Sequence, residues 1–227
     1  MSIEGSTVAW LPNAGANIIE LPKKGLTVVG LSISTQSVSI PISSGKNAIF
    51  MGSPVGTYLF QPVSFVSDSG HINLTTSGAD VLIIVYYGSP LPNTPPLSAY
   101  AGILISPTIT VGASVSSPTL VNTNVTFNFP SSAQNITGLE YSSGGLPSGV
   151  TGNAIGYLQF AISTGQLINL AIPWGNGSYV PDYPSSTGII PLKVPVTSVV
   201  NAVIGGYFTN SNTASSTWGL DVVLYYA

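Results

Sequence analysis

Few groups in this chain could do chemistry, and their spacing says what kind. Ser67-Asp68-Ser69-Gly70-His71 holds the three residue types of a nucleophilic triad and the Asp-Ser-Gly of serine-protease nucleophile loops. A triad needs base and nucleophile to meet across the fold, with a third group orienting the base. Neighbours on one turn do not supply that, and Ser67 and His71 stand where flanking glycines belong. The stretch therefore reads as a polar hairpin loop. His71 is the single histidine and cysteine is absent, which excludes cysteine-ligated and multi-histidine metal sites. The seven carboxylates, Glu4, Glu20, Asp68, Asp80, Glu140, Asp182 and Asp221, are scattered singly. Glycoside hydrolysis needs two carboxyls about 5–9 Å apart, and calcium needs clustered oxygen ligands; no spacing points to either. Asp182, in Tyr179-Val180-Pro181-Asp182-Tyr183-Pro184, reads as a turn residue. The expectation is a protein without catalytic, cofactor-binding or metal-ligating residues, and so not an enzyme.

Binding chemistry has more material. Trp10, Trp174 and Trp218 could stack on sugars, with Trp174-Gly175-Asn176 the one cluster that adds an amide. Packing in a core or at a rim is the commoner fate of such aromatics. Asn73-Leu74-Thr75, Asn124-Val125-Thr126, Asn135-Ile136-Thr137 and Asn176-Gly177-Ser178 are N-glycosylation sequons. Their asparagines are the candidate modification sites.

Composition bounds the rest. Of 227 residues, 5% are charged while 44% are hydrophobic, and there is no arginine. An ordinary soluble domain has about 25% charged residues. Solubility must rest on neutral polar groups, which 32 Ser and 20 Thr supply. Nucleic-acid binding needs a basic footprint, and four lysines at a net charge of −3 cannot make one. No apolar run approaches the ~18–20 residues of a membrane-spanning helix. Met1-Ser2-Ile3-Glu4-Gly5 lacks the basic and apolar regions of a secretory signal. The expectation is a signal already removed, or a protein that leaves the cell without one, as a virion component released by lysis does. Carboxylates are neutralised near pH 3, and a fold that relies on few of them should be nearly indifferent to acid.

The elements that must carry these residues are strands. Runs rich in Val, Ile, Thr, Tyr and Phe alternate with Gly, Pro, Asn and Ser clusters at intervals of about 8–12 residues, the pattern of a sandwich or barrel. Strands are expected near 5–11, 16–21, 26–33, 36–41, 47–51, 57–66, 71–76 and 80–87. Period-two alternation is clear in Ser37-Val38-Ser39-Ile40 and Thr108-Ile109-Thr110-Val111. One stretch conflicts: Val196, Val199, Val200, Val203 and Ile204 have helical spacing behind Pro195, while their β-branching argues against a helix. Residues 88–97 carry four prolines and no charge, and read as a semi-rigid linker. Asp80-Val81-Leu82-Ile83-Ile84-Val85-Tyr86-Tyr87 before it is echoed by Asp221-Val222-Val223-Leu224-Tyr225-Tyr226 at the end, and glycines, Gly78 and Gly219, precede both. Each is read as the closing strand of a domain, central and buried on both faces. The expectation is all-β: two tandem jelly-roll-like sandwiches, 1–88 and 98–227, joined by 89–97. An immunoglobulin-like sandwich is the main rival.

With its repeated Asp-Val-…-Tyr-Tyr endings, Pro-rich linker and arginine-free, Ser/Thr/Gly-rich composition, the chain resembles the turret (vertex, minor capsid) proteins of icosahedral viruses that infect thermoacidophilic archaea. The resemblance covers the whole chain in style and includes no diagnostic motif. It implies a structural role in the virion vertex, on the capsid exterior, one domain in the base and the other projecting. The partners implied are further copies of the chain and other capsid proteins, with no nucleic acid, no membrane span, and a host-surface glycan as an additional ligand. The alternatives are a subunit of an extracellular filament or surface layer built by strand-sharing, and a lectin-like attachment module.

Overall fold

A computed structural model of the chain describes residues 2–34, 36–43, 45–52, 59–143, 146–152, 155–161, 167–173, 189–196 and 199–227. They divide into two compact units, Met1–Gly102 and Ile103–Ala227.

In the first unit the strands are β1 (Ser2–Leu11), β2 (Gly15–Glu20), β3 (Leu26–Ile33), β4 (Ser37–Ser43), β5 (Lys46–Met51), β6 (Gln61–Ser67), β7 (His71–Thr76) and β8 (Val81–Ser89). One sheet has the order β1-β8-β3-β6 and the other β2-β7-β4-β5. Eight antiparallel strands in two sheets of this order form a jelly roll. The core is the inward set: Leu11, Leu31, Ile33, Val81, Ile83 and Val85 from one sheet, and Ile19, Ile72, Leu74, Val38, Ile40 and Phe50 from the other.

The second unit contains β9 (Gly102–Ile105, its first residue counted with the first unit), β10 (Thr108–Val111), β11 (Val115–Asn128), β12 (Asn135–Ser143), β13 (Val150–Gly152), β14 (Ile155–Ala161), β15 (Leu167–Pro173), β16 (Ile190–Pro195), β17 (Val199–Asn210) and β18 (Ser216–Tyr226). Its sheets run β10-β18-β12-β16, with β9 also on β18, and β11-β17-β14-β15, with β13 also on β17. Leaving β9 and β13 aside and counting the other eight from one, the orders are again 1-8-3-6 and 2-7-4-5. The same topology is built twice. In its core Phe208 meets Trp218 edge-on at 4.9 Å, and Phe129 meets Tyr226 at 5.7 Å.

The two echoing segments are the eighth strands, β8 and β18, each hydrogen-bonded on both sides. Their tyrosines rest on glycines of neighbouring strands: a β-carbon at Gly5 would come within 2.5 Å of the Tyr87 ring, and Tyr225 lies over Gly138. Two details differ from expectation. β18 begins at Ser216, so Gly219 lies inside the strand, opposite Thr108, and does not precede it. Burial on both faces holds from Val222 to Tyr226, whereas in β8 only Val81, Ile83 and Val85 are buried; Leu82, Ile84 and Tyr86 are half-exposed. The outward face of β8 has thinner cover, so its continuous apolar run is buried on alternate residues only. The helical spacing at 196–204 also resolves as strand from Val199, because Val200, Ala202 and Ile204 alternate into the core. Six hydrogen-bonded residues in alternation outweigh a spacing that β-branched side chains fit poorly in a helix.

The Pro-rich segment is anchored to the first unit at its C-terminal end. Ser64 N–H donates to the Pro95 carbonyl at 2.9 Å, and a single 3₁₀ turn, Leu97–Tyr100, follows. Tyr100 is buried with its ring 4.6 Å from Phe50, and its hydroxyl donates to the Pro62 carbonyl at 2.5 Å. Truncating a buried aromatic costs about 3–5 kcal/mol. Tyr100→Ala is therefore expected to lower the unfolding free energy of the first unit by that order, read as a lower denaturant midpoint at unchanged m; a midpoint unchanged from wild type would show that this turn adds nothing to the unit.

Candidate functional site

The turn between β6 and β7 holds the Ser-Asp-Ser-Gly-His stretch. Ser67 Oγ donates to the backbone carbonyl of His71 at 2.9 Å, and Ser69 Oγ to the same carbonyl at 3.2 Å. Gly70 takes φ +82°, a left-handed conformation that suits glycine, and its N–H closes the turn on Ser67 O at 3.4 Å. Both hydroxyls are thus spent on the turn and neither on the imidazole. Across the strands His71 stands in register with Glu20 on the outward face of β2 and β7.

Two carboxylates that are distant in sequence are brought together by register. On β12 and β18, Glu140 is opposite Val223 and Ser142 is opposite Asp221, so Glu140 and Asp221 are diagonal neighbours on one face. Such neighbours lie about 7–8 Å apart. Both are half-buried. Burial pushes the Glu140 carboxyl above its ordinary range, partly offset by a hydrogen bond from the Tyr225 hydroxyl at 2.7 Å. Burial likewise raises Asp221, offset by a hydrogen bond from Ser106. Each carboxyl is engaged by a hydroxyl of its own unit. The pair escapes sequence reading because strand register alone places it. Among the described residues no three His, Cys, Asp or Glu side chains group as a metal site.

Of the other candidates, Asn73 is exposed on the outward face of β7, opposite Ile18. Asn124 is exposed on β11, with Thr126 Oγ1 donating to Asn201 Oδ1 at 3.1 Å. Asn135 is half-buried at the start of β12, its backbone paired both ways with Ala227 at 3.1 and 3.0 Å. Asn176, Trp174 and Asp182 lie outside the described residues. Trp218 belongs to the core. Trp10 is 64% exposed on β1 beside Val8 at 62%, and these join half-exposed Leu82, Ile84 and Tyr86 in an apolar outward face. A residue with no motif also matters: Asn210, 0% exposed, donates through Nδ2 to the carbonyls of Gly112 at 2.9 Å and Ala214 at 3.1 Å, while its Oδ1 accepts from Asn212 N–H at 3.0 Å. It ties the β17–β18 loop to the end of β10. That is scaffolding and not chemistry.

No family model matches the chain, and no curated protein matches it in sequence. Among solved structures the chain is similar to a protein of Sulfolobus Turreted Icosahedral Virus, at 9% identity over 97% of this chain and 88% of that one, with a TM-score of 0.40. It is similar to VP2 of the infectious bursal disease virus subviral particle, at 12% identity over 99% and 73% of the two chains, TM-score 0.30. It is also similar to BuGH86 in complex with neoagarooctaose, at 9% identity over 96% and 31%, TM-score 0.20. The fold assignment stands on the strand order itself.

Proposed function

We propose that the chain is a non-catalytic structural subunit of a virion, part of a capsid vertex or turret assembly on the particle exterior. In this reading two tandem jelly-roll building blocks are joined by the Pro-rich segment 89–97, and the turn Leu97–Tyr100 packs on the first of them. The observation that carries the reading is a jelly roll built twice from a chain with 5% charged residues. Burying a charge against a neighbour has a desolvation cost of several kcal/mol, so a surface of Ser, Thr, Tyr and aliphatic groups suits repeated contact with other copies and other capsid proteins. Four lysines and no arginine support a place away from packaged nucleic acid. The hydroxyls of the β6–β7 turn, committed to backbone, support the absence of nucleophilic catalysis. Asn73 and Asn124 present exposed side chains for glycans, outward on their strands. Each unit supplies all eight strands of its own jelly roll, which favours a self-contained block over a filament subunit that lacks a strand. Co-sedimentation of the purified chain with dissociated capsid proteins tests the reading. Co-migration in an assembled fraction is the expected result; a chain that joins no assembly and hydrolyses a glycan would overturn it.

A further inference from the structure

Sheet edges leave backbone donors and acceptors unpaired, and soluble proteins cover or blunt them. Among the described residues the first unit covers two of its four edges and leaves β2 and β1 open. β6 is capped where Ser64 meets Pro95 and Pro96, and β5 where Ala48 bridges Ala101. β2 is six residues long and ends at Glu20, near Lys23 and Lys24. β1 has none of these devices along most of its length: it is ten residues long, without proline or lysine, and among the described residues it pairs only with β8. Its single irregularity is a register shift between Ile3 and Gly5. From Gly5 to Leu11 the ladder is regular, and every second residue there turns its N–H and C=O away from β8.

We propose that β1 is a self-association edge, pairing antiparallel with β1 of a second copy to join two four-stranded sheets into one of eight. Only an extended strand can satisfy such an edge, and a two-fold axis makes antiparallel pairing of identical strands self-complementary. The midpoint of the regular stretch is Val8. An axis there sets Val8 against Val8, Thr7 against Ala9, and the Trp10 indole of each copy over Ser6 of the other, a small residue that leaves room for it. The exposed apolar face of Val8 and Trp10 is then continued by its own image. Charge agrees with this register: Glu4, the one charged residue of β1, lies beyond the paired stretch. Eight strand positions separate the two Glu4 carboxylates, about 27 Å at 3.4 Å per residue, well past the ~8–10 Å screening length. No like charges are opposed, and an uncharged edge offers nothing to select an unrelated partner.

The identity of the partner rests on the assembly reading above; the edge chemistry does not. The native chain lacks cysteine, so one introduced thiol gives a clean test. Opposed antiparallel residues have Cα atoms about 4.5–5.5 Å apart, within disulfide range. Val8→Cys in the full chain, under mild oxidation, is expected to give a covalent dimer, whereas Leu91→Cys, at a comparably exposed position off the strand, stays monomeric. Sedimentation of the wild type should show a concentration-dependent dimer, weakened at least tenfold by Val8→Lys with an unchanged melting curve. Cross-linking no greater at position 8 than at position 91, or a wild type monomeric at every concentration, overturns the proposal; so does a monomer that takes up a strand of another capsid protein. A dimer through β1 that joins no particle would sink the virion reading and leave this one standing.

Discussion

Val223→Asp is expected to unfold the second unit or lower its stability by about 3–5 kcal/mol, the cost of an uncompensated buried charge. Val223 is 0% exposed and stands opposite Glu140 in the ladder, two residues from Asp221 on the same strand. An aspartate there would put a third carboxyl into a face whose two existing ones are already raised by burial. No lysine or arginine flanks it on β12 or β18. Ile83→Asp is the matching change in the first unit, at 1% exposure between the two sheets. Each variant should move only the transition of its own unit. Thermal melts check this, and a wild-type melting temperature in either variant would contradict the core assignment.

Acidification is expected to stabilise the second unit. Glu140 and Asp221 have folded-state pKa values above their ordinary 4.5 and 3.8, because burial disfavours the charged carboxylates. The folded state therefore binds protons more tightly than the unfolded one. The stability they contribute is complete below the unfolded values and is lost as pH rises through the folded ones. From pH 7 down to about pH 4 the melting temperature of this unit should rise. Glu140→Gln, neutral at every pH, should flatten part of the rise. This goes further than the near-indifference to acid inferred from composition: the carboxylates at the closing strand of the second unit make mild acid favourable. A fall in melting temperature over the same range would contradict it.

Much of the fold was legible in order of strand strength. In the first half, elements such as Leu26–Ile33 and His71–Thr76 coincide with their sequence readings, because turn residues bracket short apolar runs there. The strand expected at 57–66 is observed from Gln61 to Ser67; residues 53–58 lie outside the described residues. The eighth strands announced themselves through their Asp-Val and Tyr-Tyr endings. Their burial did not, since an apolar run does not disclose whether a second layer covers its outward side, as it does at Val223 and does not at Ile84. The helical spacing at 196–204 conflicts with the strand because two faces of one strand, Val200 with Ile204 and Val203 between them, mimic a helical stripe. Glu140 with Asp221, and the Asn210 cluster, depend on register and loop closure between distant segments, which no local pattern encodes. The open edge of β1 is of the same kind: only the order of strands in the sheet reveals that β1 stands at an edge.

The most direct test of a virion role is immunogold electron microscopy of purified particles and of the host cells that release them, with antibody raised against the folded chain. Gold confined to the particle exterior, concentrated at the vertices, is the expected result. Gold on extracellular filaments or on the cell-surface layer, with particles unlabelled, would contradict it.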